Sequence, residues 1–258
     1  MEISKSYAWS AFPKKRRNSP LLPSNIRGLL IGKSNCGKTT LMLNLLLQPN
    51  WLDYDHLFVF GKSLHQHEYY IMKKGLENGL TKEQLSNLFD SQDTTIDYDP
   101  LEIIDVYIKN GGKADGKIKQ DFYTDCSKIP DPTQLNESEQ NLLILDDCLL
   151  EKQNKAESYY TRGRHNNCDT FYISQNYFRL PRHTIRENAN FICLFQQDAK
   201  NVNHIHADHC TDISIKEFRQ FCKQVWEKPY HFITIDLSST KFNGKYRENL
   251  DNFYIPTT

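Results

Sequence analysis

The sequence lacks any run of eighteen apolar residues, which excludes a membrane-spanning helix, and we expect no membrane partner. Its first residues, MEISKSYAWSAFPKKRRNSP, lack the continuous apolar core of a secretory signal. The seven cysteines include no Cys-x-x-Cys pair. We therefore expect an intracellular chain whose cysteines stay free thiols in a reducing compartment.

The sequence also has no excess of charge of either sign: 32 Lys and Arg balance 32 Asp and Glu, so the formal net charge is zero. A protein that coats nucleic acid non-specifically usually has a basic excess, so any DNA contact must be local. Two basic patches are present. One is PKKRR at 13–17, and in the other, at 152–186, seven Lys and Arg face only Glu157 and Asp169.

The pattern of apolar residues indicates an α/β protein. Short apolar runs predict buried strands at 25–32, 55–63, 141–150, 169–177, 190–198 and 230–239. Helices are predicted at 38–49, within 66–90, at 100–109 and at 213–226. Strands separated by helices or long polar segments indicate a mostly parallel sheet flanked by helices.

The domain organisation predicted from this pattern is simple. Residues 1–24 contain three prolines and the PKKRR patch, and we interpret them as a basic N-terminal arm. Residues 25–258 are predicted to form a single domain, in which the polar segment at about 64–140 is an elaboration between core strands.

The stretch GKSNCGKT at 32–39 fits the phosphate-loop pattern G-x-x-x-x-G-K-[ST] in full, between a predicted strand and a predicted helix. Its glycines let backbone N–H groups point at phosphate oxygens, and the helix adds its positive dipole end. We expect Lys38 to reach the β- and γ-phosphates of ATP and the Thr39 hydroxyl to coordinate Mg²⁺. The predicted nucleotide-binding residues are Gly32, Ser34, Asn35, Cys36, Gly37, Lys38, Thr39 and Thr40. The alternative is a glycine-rich turn that binds no ligand.

Two later strands end in polar residues that suit the same chemistry. LLILDD places Asp146, a predicted Mg²⁺ ligand, before Asp147, which we expect to activate the attacking water. The alternative is that either aspartate caps the following helix. Gln175 ends the next strand, and it would face the γ-phosphate if that strand lies beside the strand of Asp146. It could equally be an ordinary strand-end turn residue.

Two further segments carry candidate functional residues. Arg162 and Arg164 lie in TRGRHNNC, where an arginine could reach a neighbouring subunit's γ-phosphate or could belong to a solvated or DNA-facing loop. HIHADHC at 204–210 offers four potential zinc ligands in seven residues, but structural zinc sites usually pair ligands from separated elements. We therefore predict a helical surface stretch there.

Three segments together resemble a known family: GKSNCGKTTL, LLILDD and RGRHNNCDTFYISQNYFRLPRHTIRENANFICLFQQD. They are similar to viral genome-packaging ATPases of the FtsK/HerA superfamily. The nearest type is the poxvirus-type packaging ATPase, also found in Polinton/Maverick elements and virophages. The resemblance covers roughly 25–210. It implies a RecA-like (ASCE) P-loop core, a homo-oligomeric ring of five or six subunits, capsid protein partners, and ATP-driven movement of double-stranded DNA into a capsid.

The resemblance also implies roles for individual residues. Lys38 and Thr39 take the phosphate-loop roles, Asp146 the metal role and Asp147 the role of a catalytic acid that is glutamate in many superfamily members. Gln175 matches the polar sensor, and Arg164, or else Arg162, matches the arginine finger. Basic residues beside aromatics in YFRLPRHTIRENAN suit contacts with the DNA backbone, or else a subunit interface or solvated helix face; they are Arg179, Arg182 and Arg186.

The function predicted on this basis is an ATP-dependent DNA translocase that packages a viral or virus-like genome, hydrolysing ATP at subunit interfaces. The alternatives are a helicase or DNA-processing ATPase on the same core, or a nucleotide-dependent switch in capsid assembly. The expected location is the host nucleus, a viral factory or the virion. PKKRR fits a nuclear-import patch, a DNA-binding arm or a solvated tail.

Overall fold

The computed structural model describes residues 18–90, 99–110 and 116–257, so the PKKRR patch lies outside the described residues. The described strands are β1 (Arg27–Ile31), β2 (His56–Gly61), β3 (Lys119–Tyr123), β4 (Asn141–Asp146), β5 (Cys168–Ser174), β6 (Phe191–Leu194), β7 (Ile233–Asp236), β8 (Tyr246–Glu248) and β9 (Asn252–Tyr254). The described helices are α1 (Lys38–Leu47), α2 (His67–Glu77), α3 (Lys82–Asp90), α4 (Pro100–Lys109), α5 (Asn154–Arg162), α6 (Ala199–His209) and α7 (Ile215–Trp226).

The strands form a single sheet in the order β3-β2-β4-β5-β1-β6-β7-β8-β9. Every pairing from β3 through to β6 is parallel, whereas β7, β8 and β9 are added antiparallel at one side. The predicted α/β class, with a mostly parallel central sheet flanked by helices, is confirmed. Because β5 lies between β1 and β4, the three strands that carry the predicted nucleotide-site residues are neighbours.

The central strands are apolar on both faces, as expected for a parallel sheet covered on both sides. In β1, Leu29 and Ile31 belong to one buried cluster and Leu30 to the other. Helices α1 to α4 contribute to the cluster of Leu30, and α5 to α7 to the cluster of Leu29. This packing on both faces holds the central strands in place, and the site lies at their carboxyl ends.

Some elements differ from the sequence prediction. The segment at 64–140 is more than an elaboration, because it contains β3, which pairs with β2 and forms one edge of the sheet. Its residues, KQDFY, are largely polar and only partly buried, so the apolar pattern did not reveal a strand. Helix α5 and the three-residue strands β8 and β9 were not predicted.

The predicted N-terminal arm is packed where the structure describes it. Asn18 and Ser19 are buried, and the Asn18 amide donates to Asp169 Oδ2 at 2.6 Å. The Ser19 N–H donates to the Trp51 carbonyl at 2.8 Å. Residues 18–24 therefore belong to the folded core, and the predicted boundary at residue 25 falls too late.

Within residues 18–90, 99–110 and 116–257, no helix combines the length and apolarity needed to cross a membrane. All seven cysteines are free, and all except Cys36 are buried.

Candidate nucleotide site

The loop between β1 and α1 needs glycine at both ends. Gly37, the residue before α1, has φ 101°, a conformation that residues with a side chain rarely adopt. A methyl group on Gly32 would collide with Cys36 Sγ and lie 2.7 Å from Phe195 Cβ. The two glycines therefore let the chain curl tightly over Phe195 before the helix begins at Lys38.

The Lys38 ammonium group is held inside this curled loop. Its Nζ donates to the carbonyls of Gly32 at 2.8 Å and Lys33 at 2.6 Å, and the residue is 9% exposed. Cys36 Sγ lies 3.8 Å from the same nitrogen. Burial raises the pKa of the Cys36 thiol despite the opposing charge of Lys38, so the thiol stays neutral. The positive charge of Lys38 is thus fixed by neutral groups.

Because β1, β5 and β4 are parallel neighbours, their carboxyl ends lie side by side at one end of the sheet. Gly32 N–H donates to the Ser174 carbonyl at 3.1 Å, and Asp147 N–H donates to the Ile173 carbonyl at 3.3 Å. Gln175 follows β5 directly, so the condition on which its predicted role depended is met.

A cavity of about 750 Å³ opens at this edge, a size typical of small-molecule sites. Its lining includes these sequence-predicted residues: Ser34, Asn35, Gly37, Lys38, Thr39, Thr40, Asp146, Asp147 and Gln175. Gly32 and Cys36 belong to the loop but do not line the cavity. Most of the predicted nucleotide and metal residues therefore share one cavity.

Asp146 is a partly buried carboxylate with a hydrogen-bond partner that sequence reasoning missed. Tyr69, on α2, donates its hydroxyl to Asp146 Oδ2 at 2.6 Å. Burial raises the pKa of Asp146, the Tyr69 hydrogen bond lowers it, the charge of Asp147 raises it, and Lys38 lowers it. No motif marks Tyr69, because its position depends on how α2 packs against the sheet.

Asp147 has a special backbone conformation. It is exposed, and its φ is 53°, in the left-handed region that aspartate tolerates better than most residues. The helix that follows β4, α5, begins at Asn154, and the residue at its N-cap position is Gln153. Neither aspartate therefore caps the following helix, and that alternative is wrong.

The oxygen donors in the cavity fit Mg²⁺. Thr39, which carries a hydroxyl, and Asp146, which carries a carboxylate, both line it. Mg²⁺ usually takes one or two protein oxygens and completes its octahedron with phosphate oxygens and water. No cluster of three or more His, Cys, Asp or Glu suited to a metal is found in the described parts of the chain.

Arg164 lies far from this cavity in its own chain. It belongs to a short 3-10 helix, Gly163–Asn166, that precedes β5. The pKa of Arg27, at the start of β1, is lowered by burial and then by the charge of Arg164. Because β5 spans seven residues, roughly 20 Å of strand separates this end of the sheet from the phosphate loop. Arg162, at the end of α5, lies 3.4 Å from Asp131.

The three arginines predicted to contact DNA occupy different environments. Arg179 and Arg182 are exposed, and Arg182 Nε lies 3.3 Å from Glu187. Arg186 is 6% exposed, and its NH1 pairs with Asp208 Oδ2 at 3.0 Å. The prediction for Arg186 is therefore wrong, because its guanidinium is committed to a buried ion pair.

The histidine-rich stretch is part of α6, as predicted. His206 Nε2 lies 2.9 Å from the Ile213 carbonyl, and His209 Nε2 lies 2.7 Å from the Tyr177 hydroxyl. Burial lowers the pKa of His209 to about 4, so this imidazole is neutral. These histidines have structural partners on separate segments and do not converge on a zinc site.

Neither a protein-family model nor a curated protein sequence matches the chain. Among solved structures it is similar to the genome packaging NTPase B204 from Sulfolobus turreted icosahedral virus 2 in complex with AMP. The identity is 14% over 83% of this chain and 93% of that chain, with a TM-score of 0.49. It is also similar to VirB4 of Thermoanaerobacter pseudethanolicus, at 11% identity over 96% and 92% of the two chains and a TM-score of 0.46.

Proposed function

We propose that this chain is an ATPase that moves double-stranded DNA, and that its work is to package a viral or virus-like genome into a capsid. The observation that carries the ATPase is the convergence of Lys38, Thr39, Asp146, Asp147 and Gln175 on one cavity. The resemblance of the segment from GRHNN to RENAN to packaging ATPases supports the DNA-moving role.

Each residue has a task in hydrolysis. Lys38 would bind β- and γ-phosphate oxygens, while Thr39 and Asp146 would hold Mg²⁺. Bound there, Mg²⁺ would supply charge neutralisation and polarisation of the terminal phosphoryl group. Asp147 accepts a proton from the attacking water, whose oxygen bonds to the γ-phosphorus as the bond to the β-phosphate oxygen breaks, which releases ADP and phosphate. Gln175 faces the γ-phosphate.

The position of Arg164 supports a site shared between subunits. Lying at the opposite end of β5, it cannot reach the phosphates of its own chain. A ring of five or six copies would bring this end of one subunit against the cavity of the next, where an arginine stabilises charge in the transition state.

The segment that follows Gln175 supports a DNA contact. Arg179 and Arg182 are exposed on it, a few residues from a side chain at the cavity. Contacts of this kind with phosphates position a duplex without reading its sequence. Capsid proteins would be further partners. The protein would act in the host nucleus, in a viral factory or in the virion.

The direct test is ATP hydrolysis by the purified chain with and without long linear duplex DNA. We expect stimulation by duplex, loss of turnover in Lys38→Ala and Asp147→Asn, and normal turnover in the controls Lys216→Ala and Asp251→Asn, which replace exposed residues outside the cavity. Unchanged rates in the first pair would contradict the catalytic assignment. Strand separation on a forked substrate would favour a helicase, and stimulation by a capsid protein alone would favour a switch.

A further inference from the structure

Tyr230 is an exposed aromatic residue at the rim of the same cavity. It lies in the loop between α7 and β7, and 72% of it is exposed. Its φ is 64°, which is unfavourable for a bulky side chain and persists only when the surroundings impose it. A methyl group on Gly37 would lie 3.6 Å from Tyr230 Cδ1. The ring therefore stands beside the start of α1.

Contacts on both sides of Tyr230 hold its loop in place. Glu248 Oε1 accepts from Lys228 Nζ at 2.7 Å and lies 2.9 Å from His231 Nδ1. Asn249 N–H donates to the Phe232 carbonyl at 2.8 Å. The neighbours of Tyr230 are thus tied to the end of β8, while its own ring is left facing the cavity.

The sheet order indicates which end of a nucleotide lies near Tyr230. The strands of Asp146 and Gln175, β4 and β5, lie on one side of β1, whereas β6 and β7 lie on the other. If the terminal phosphate lies toward the acids, as the proposed function requires, the nucleoside must extend across the start of α1 toward β6 and β7. Tyr230 and Phe232 line the cavity there, before β7.

We propose that Tyr230 binds the nucleobase by stacking, a role that rests on the proposed function of the cavity. The rings of Phe195 and Phe232, which also line the cavity, lie with centroids 5.0 Å apart and complete an aromatic subsite. Every base has a π-face, so such a platform accepts nucleotides as a class. Tyr230 therefore contributes affinity for the base, and Lys38 affinity for the phosphates.

The test compares a ligand that has a base with one that lacks it. Binding of ADP and of inorganic tripolyphosphate is measured with Mg²⁺ on the wild-type chain, Tyr230→Asn, Tyr230→Phe and Lys38→Ala. Asparagine tolerates a positive φ, so Tyr230→Asn removes the ring without adding backbone strain to the loop. We expect it to weaken ADP binding by about 5- to 150-fold and to leave tripolyphosphate binding unchanged. Tyr230→Phe should bind both like the wild type, and Lys38→Ala should lose both.

Two outcomes would overturn the stacking role. Equal losses of ADP and tripolyphosphate in Tyr230→Asn would mean that the residue only shapes the phosphate loop, and undiminished ADP binding would mean that the base lies elsewhere. Failure of the proposed function would give a different result. A wild-type chain that binds ADP without hydrolysing ATP would contradict the ATPase activity, and the stacking role of Tyr230 could still be tested. A wild-type chain that binds neither probe contradicts both.

Discussion

At the scale of single residues, the contact between Tyr69 and Asp146 controls the proposed metal ligand. Because the Tyr69 hydroxyl lowers the pKa of Asp146, Tyr69→Phe should raise that pKa further. We expect the acidic limb of the ATPase pH profile to move to higher pH. The Mg²⁺ concentration for half-maximal activity should rise by roughly 10- to 100-fold, as when a metal ligand loses its hydrogen-bond partner.

Tyr54→Phe is the matched control for this prediction. Tyr54 is also buried, but its hydroxyl donates to the Leu46 carbonyl at 3.1 Å, and Tyr54 does not line the cavity. The Mg²⁺ dependence of this variant should match that of the wild type. If both phenylalanine variants alter the dependence equally, the effect of Tyr69 is general packing and the assignment fails.

A second residue, Asp169, makes stability depend on pH. It accepts hydrogen bonds from Asn18 and from the Ile26 N–H, each at 2.6 Å. Burial nevertheless raises its pKa from 3.8 to about 6. The stability that comes from protonating this carboxyl is therefore fully present below its unfolded pKa and is lost as pH rises through about 6. At 1.4 kcal/mol per pKa unit this amounts to roughly 3 kcal/mol.

Comparison with Asp169→Asn isolates this effect, because the other titrating groups cancel. Urea unfolding is measured for both proteins at pH 4 and pH 7. We expect the free energy of unfolding of the wild type to fall by roughly 2 kcal/mol relative to the variant over this interval, because the unfolded carboxyl is already partly ionised at pH 4. A difference that does not change with pH would show that the carboxyl titrates normally.

At the scale of elements, the pattern of apolar residues predicted the strands that are buried in the core of the sheet. β2 and β4 were recognised because five successive residues of each strand are buried in the sheet. β3 was missed because it is a polar edge strand whose only signal is its pairing with β2. The phosphate loop was predictable because its chemistry is local in sequence. The contacts of Tyr69 and Tyr230 depend on separate elements meeting at one cavity, and a single sequence does not reveal them.

The segment from Gln175 to β6 also belongs to this scale, because its basic residues divide into two groups. Arg186 pairs with Asp208 and fixes the segment to α6, whereas Arg179 and Arg182 face outward. If the outward pair contacts DNA phosphates, Arg179→Ala combined with Arg182→Ala should reduce the slope of log affinity against log salt by about two. DNA-binding titrations at several salt concentrations measure this slope.

Arg219→Ala serves as the control for that measurement. Arg219 is also exposed, but it lies on α7, where its guanidinium donates to Asn203 Oδ1 at 2.7 Å. This variant should keep the wild-type slope. An unchanged slope in the double variant would remove the segment from the DNA interface.

At the scale of the whole molecule, the separation of Arg164 from the cavity predicts an assembly. Subunits with Arg164→Ala would lack the arginine proposed to act on a neighbour but would keep an intact cavity, and subunits with Asp147→Asn would have the converse defect. Mixing the two should restore part of the ATPase activity, because some interfaces then combine an intact cavity with an intact arginine. Absence of recovery at every ratio, with rings still forming, would contradict the shared site.

The central claim, that ATP hydrolysis moves duplex DNA through the protein, is tested most directly by displacement of a third strand. A labelled oligonucleotide is bound as a triplex to long linear duplex, and its release by the purified chain is followed with ATP. We expect release with ATP and none with Lys38→Ala or a non-hydrolysable analogue, while the duplex strands stay paired. ATP hydrolysis without release of the third strand would contradict the claim.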